Sequence, residues 1–169
     1  MAKNVFSAVL FAFAGALIQS TILFRITPYN AVPDLVLIVI VFSAFYNGSL
    51  TGQLTGFFSG ILLDLLSASP LGLNALVFVI IGALVGLLHE ALSINNLFFG
   101  ALICTTATLF KVIFYIGLHQ IFTQSIPAYI FGDPTFFTEL ISNTILAPVV
   151  FFLLKKFKSI LIDQTTERL

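Results

Sequence analysis

Apolar residues in this chain neither alternate nor follow one narrow helical stripe. They gather into six long runs, at about 5–23, 31–46, 50–66, 71–88, 97–122 and 134–154. The breaks between them, Thr27-Pro28-Tyr29-Asn30, Asn47-Gly48-Ser49, Ser67-Ala68-Ser69-Pro70, Asn95-Asn96 and Gly132-Asp133-Pro134, carry turn chemistry. Runs of this length and apolarity read as membrane-spanning helices. The second run falls short of the roughly 20 residues that cross a hydrocarbon core. It is therefore expected to tilt little or to thin the bilayer locally. The pattern predicts an all-α polytopic membrane protein of six transmembrane helices. Residues 1–169 form a single integral membrane domain, with a short cytoplasmic tail over 155–169.

Composition agrees with this class. Hydrophobic residues make up 59% of the chain and charged residues 8%, against about 25% charged in an ordinary soluble domain. The formal net charge is zero and no acidic or basic block points to nucleic acid. Cys104 is the single cysteine, which rules out an internal disulfide and a thiolate zinc cluster. Lys3 before an apolar run, with Ala12-Phe13-Ala14 inside it, imitates a cleavable signal. The run continues to Leu23 and five more follow, so it reads as an uncleaved first span. Basic residues sit at both ends: Lys3 at the start, then Lys155, Lys156, Lys158 and Arg168 after the last span. Six spans and the positive-inside rule place both termini in the cytoplasm. The predicted tail is an interfacial anchor whose lysines snorkel to the membrane surface.

Little room is left for a soluble catalytic domain. No Walker loop, HExxH, GxSxG or dinucleotide fingerprint is present, and no cofactor is expected. The informative residues are polar or small ones within the spans. Gly52, Gly56, Gly60 and Asp64 recur at i,i+4 and share one face of the third span. Glycines at that spacing admit a close second backbone. They make either a groove for a partner's helix or a seam between the chain's own helices, and spacing alone does not choose. Asn74, Gly82 and Gly86 form a second stripe on the fourth span, expected to pack against the first. Asp64, just before Ser67-Ala68-Ser69-Pro70, is expected to anchor the turn between these spans by accepting hydrogen bonds. Pro33, Asp34, Pro70 and Gly72 are further turn and polar anchors.

Lys111, in the middle of the fifth span, must find an anion, because a lone ammonium there costs roughly 2.5–3.5 kcal/mol or more. Its long stem points to Asp64 or Glu139 as partner. Glu139, Asn143 and Ala147 share a stripe on the sixth span, and His119 lies at a depth that suits a pair with Glu139. His89-Glu90 reads as a solvated pair at the inner face. These polar residues mark either a proton or solute path or pairs that fix helix positions. The second reading is preferred.

Val32-Pro33-Asp34-Leu35 at the head of a span, GQLTGFFSG, and the stretch from Asp64 through Pro70-Leu71-Gly72-Leu73-Asn74 to Leu76 resemble the rod shape-determining protein MreD family. Gln19-Ser20-Thr21 resembles that family's first span. The specific motifs lie between Gln19 and Gly86, and the rest is similar in length and span layout. The resemblance implies a non-enzymatic scaffold or regulatory subunit of the bacterial elongation machinery in the inner membrane. Its implied partners are the periplasmic coiled-coil protein MreC, then MreB, RodA and a class B penicillin-binding transpeptidase; a homodimer and bound membrane lipids are compatible with it. It also implies a six-helix fold similar to the substrate-binding components of energy-coupling factor transporters. That likeness supplies the rival reading, a small-solute-binding transporter subunit. An intramembrane protease or transferase would need a nucleophile–base or carboxylate pair, and the contexts of Asp64 and Glu139 do not resemble one.

Overall fold

The computed structural model describes residues 1–26, 32–67, 69–89, 97–121 and 134–162. The breaks expected at Thr27-Pro28-Tyr29-Asn30, Asn95-Asn96 and Gly132-Asp133 lie outside the described residues, as do Ala68, Glu90 and Arg168. Six apolar helices follow the six runs. The first, α1, is Ala2–Ile18 and continues through a π-helical turn at Gln19–Leu23 and a last turn at Phe24–Ile26. Next come α2 (Leu35–Asn47), α3 (Ser49–Leu66), α4 (Leu73–Leu87), α5 (Leu97–Ile121) and α6 (Pro134–Lys155). A short α7 (Lys158–Leu161) ends the described chain. Among the described residues, four helices are long and apolar enough to cross a membrane; α2 and α4 are shorter apolar helices.

The short second helix is the centre of the bundle. Residues 36–45 of α2 are all buried, and the helix packs against α1, α3, α4, α5 and α6. A helix apolar on every side suits a protein core as well as lipid, and here it is the core. At about 1.5 Å per residue its 13 residues reach about 20 Å, well under a 30 Å core. Sequence reasoning expected the bilayer to adjust to this short span. In the structure its neighbours surround it instead, so both of its ends must be satisfied by protein.

At the end nearest the chain start, Asn47 donates to Ser43 O at 3.0 Å and to Leu161 O at 2.8 Å. Asn4 in turn donates to Asn47 Oδ1 at 3.2 Å. His89 Nδ1 lies 2.6 Å from Phe45 O and donates to it. The half-buried His89 is thus a cap for α2, where a solvated role beside Glu90 was expected. A buried helix end leaves carbonyls that water cannot reach, and the imidazole supplies a donor. α2 then turns into α3 through Gly48, whose φ of +85° lies in a region other residues seldom adopt.

The glycine stripes meet each other. A Cβ on Gly52 would fall 2.5 Å from Ala44 Cβ and 2.6 Å from Gly82 O. A Cβ on Gly56 would strike the Phe78 carbonyl, and one on Gly60 would strike the backbone of Asn74 and Ala75. From the other side, Gly82 faces Gly52 and Gly86 faces Ser49. The close-approach face of α3 is therefore filled by α4. A groove on that face open to another protein, the first of the two alternatives, is not present.

Candidate functional site

The head of α2 lies inside the bundle, where four backbone N–H groups begin a helix without intrahelical acceptors. Pro33 precedes it and Asp34 caps it, accepting from Leu37 N on Oδ1 at 2.9 Å. Gln19 reaches across from the π-helical turn of α1, and its Oε1 accepts from Leu35 N at 3.0 Å. Asn143 of α6 accepts from Asp34 N at 2.8 Å. Its amide group donates to Thr108 Oγ1 at 3.0 Å, and Thr108 donates to Cys104 O on α5. Side chains from α1 and α6, together with Asp34 itself, thus supply what water supplies at an ordinary helix start.

Charge is balanced at the same place. Lys111 Nζ donates to Asp34 Oδ2 at 2.6 Å and to Glu139 Oε1 at 2.7 Å, with all three residues buried. One ammonium therefore joins carboxylates from α2 and α6. Desolvating each of these ions costs several kcal/mol, and close, well-bonded partners offset much of it. Glu139 is a partner that sequence reasoning named. Asp64, the other named partner, is replaced by Asp34.

Asp64 is engaged elsewhere, at the turn from α3 to α4. Its Oδ2 accepts from Gly72 N at 2.8 Å and Ala75 N at 3.5 Å, and its Oδ1 from Asn74 N at 3.0 Å and Asn74 Nδ2 at 2.7 Å. A carboxylate against the opening N–H groups of α4 suits both their unpaired hydrogens and the positive end of the helix dipole. Gly72, at φ +92°, lets the chain enter α4 where Asp64 can reach it. Pro70 lies just ahead, its carbonyl accepting from Leu73 N at 3.2 Å.

Tyr115 joins the two clusters. Its hydroxyl donates to Asn74 Oδ1, and its ring centroid lies 6.0 Å from Lys111 Nζ, one helical turn away on α5. A single buried network therefore runs from Asp64 through Asn74, Tyr115 and Lys111 to Asp34, Glu139 and Asn143. With Gln19 bonded to Leu35 N at the head of α2, it ties α1 through α6 together. His119, half-buried, extends the Lys111–Tyr115 face a further turn along α5. Sequence reading did not assign Gln19, Thr108 or Tyr115 to this network. The i,i+4 spacing of Lys111, Tyr115 and His119 was a signal for Tyr115; for Gln19 the signal was an amide inside an apolar run.

Chemically, these groups are spent on one another. Among the described residues, Ser59 Oγ is the buried side-chain polar atom without a hydrogen-bond partner, and no trio of His, Cys, Asp or Glu is arranged to hold a metal ion. Such an arrangement fixes helix positions. The model of the rod shape-determining protein MreD family matches residues 2–157. The chain belongs to the MreD family. Membership implies a role in rod-shape determination for a multi-pass membrane protein of a generally non-enzymatic family. No curated protein and no solved structure matches the chain.

Proposed function

We propose that this protein is a non-enzymatic scaffold of the elongation complex, set in the bacterial inner membrane with both termini in the cytoplasm. One observation carries the reading: the buried polar side chains are bonded across six helices to each other and to the ends of α2 and α4. A protein that works by presenting a fixed surface needs its interior held in this way. A solute-binding subunit would instead turn such groups toward a cavity. Orientation draws support from Lys3, Lys155, Lys156 and Lys158, which gather at the end where α1 begins and α7 packs against it.

MreC is the first partner of this scaffold, with MreB, RodA and a class B penicillin-binding transpeptidase following through the assembled complex. Because α4 fills the glycine face, the partner's span seats on another face. The likeness to energy-coupling factor components and a Glu139–His119 pairing belong to the same proposal; the first rests on the family resemblance alone. Affinity purification of the tagged chain from native membranes tests the reading. Recovery of a single-span, coiled-coil periplasmic protein is the expected result. Recovery of an ATPase module in its place would overturn it in favour of a transporter subunit.

A further inference from the structure

The chain does not trail away after its last span. A turn at Lys156 and Phe157 sends α7 back against the bundle, where Leu161 is buried. Leu161 O accepts from Asn47, and the Phe157 ring lies 5.2 Å from that of Phe11 on α1. This pinned elbow holds its lysines in place. Lys155 Nζ lies 5.7 Å from the Tyr46 ring centroid, and Lys156 Nζ lies 5.6 Å from that of Phe152. Phe152 is 54% exposed on α6, and Phe157, at the turn that follows it, is 47% exposed. Lys158 is exposed as well.

An ammonium held over a ring that faces acyl chains sits where hydrocarbon gives way to headgroups. The surface offers cations at headgroup level and aromatic faces immediately below. That combination fits a molecule with a phosphodiester above and acyl chains beneath. An acidic soluble peptide would use the lysines and leave the two rings idle. A partner's apolar helix would use the rings and bury the lysines against hydrocarbon.

We propose that the α6–α7 elbow binds an anionic phospholipid, its phosphate held by Lys155, Lys156 and Lys158 and its chains lying along Phe152 and Phe157. This site is independent of the scaffold reading. Native mass spectrometry of the full chain, released from detergent containing either phosphatidylglycerol or phosphatidylcholine, tests it. Phosphatidylglycerol should be retained in preference. Lys156→Gln, a change at an exposed side chain, should reduce that retention about fivefold, and Lys155→Gln with Lys156→Gln roughly twenty-five-fold, at about fivefold per lysine near a membrane surface. Lys155→Arg with Lys156→Arg should keep the lipid, and excess inorganic phosphate should fail to displace it. Equal retention of the two lipids, unchanged retention in the glutamine variants, loss in the arginine variant or displacement by phosphate alone would each overturn the proposal.

Discussion

Lys111→Met is the most searching single change. It removes the ammonium that lies 2.6 Å from Asp34 and 2.7 Å from Glu139, keeps most of the side chain's length, and leaves two buried carboxylates without that partner. Stripping one member from a buried ion cluster destabilises by about 3–5 kcal/mol. At about 1.4 kcal/mol per tenfold, that shifts the folding equilibrium by roughly two to three and a half orders of magnitude. The loss should be undone by neutralising the partners. Asp34→Asn keeps a side-chain oxygen to cap α2, since asparagine caps as well as aspartate. Glu139→Gln keeps shape and an acceptor. The triple variant should therefore recover most of the stability that Lys111→Met loses, because a neutral cluster bears no desolvated charge. Reversible unfolding in mixed micelles, followed by the loss of helical signal, measures all three chains. A Lys111→Met protein as stable as the unaltered one, or a triple variant no better than the single, would refute the assignment of Lys111 as the clamp.

Three other outcomes are expected. Gly56→Leu should abolish the folded monomer in size-exclusion chromatography, because the added carbons collide with the Phe78 backbone; a normal monomer that only loses its partner would mean the α3 face is an external one. Asp64→Asn should complement cell shape far better than Asp64→Leu, since one oxygen still accepts at the head of α4 while leucine leaves those donors unmet at about 1–3 kcal/mol each; equal failure of both to restore rod shape at normal membrane levels would point to a chemical role for the carboxylate. Cysteines introduced at both ends should label only from the cytoplasmic side; labelling of the carboxyl end from the periplasm would sink the topology.

Much of the architecture was legible because membrane helices announce themselves by length and apolarity, and all six runs became helices within a few residues of their expected bounds. The i,i+4 glycines told that two backbones approach, but a spacing does not say whose backbone arrives; Phe78 and Ala75 answer that only in three dimensions. Lys111 was legible as a residue needing an anion. Its choice of Asp34 over Asp64 was not, because it depends on α2 starting inside the bundle rather than at a membrane surface. That start is itself hidden in sequence: a 13-residue apolar helix reads equally as a short span in thin lipid or as a core helix wrapped by others. The caps supplied by Gln19, Asn143 and His89 follow from the wrapping, so they were out of reach until it was known.

The central claim is that the buried charges fasten helices and that the protein acts through the surface they hold. The most direct measurement is cell shape in bacteria that depend on the Asp34→Asn, Lys111→Met, Glu139→Gln triple variant, with its membrane level and its recovery of MreC measured in parallel. The scaffold reading predicts rod-shaped cells and bound MreC once the variant reaches the normal membrane level. Round cells at that level, with MreC still bound, would contradict it and assign the charges a chemical task.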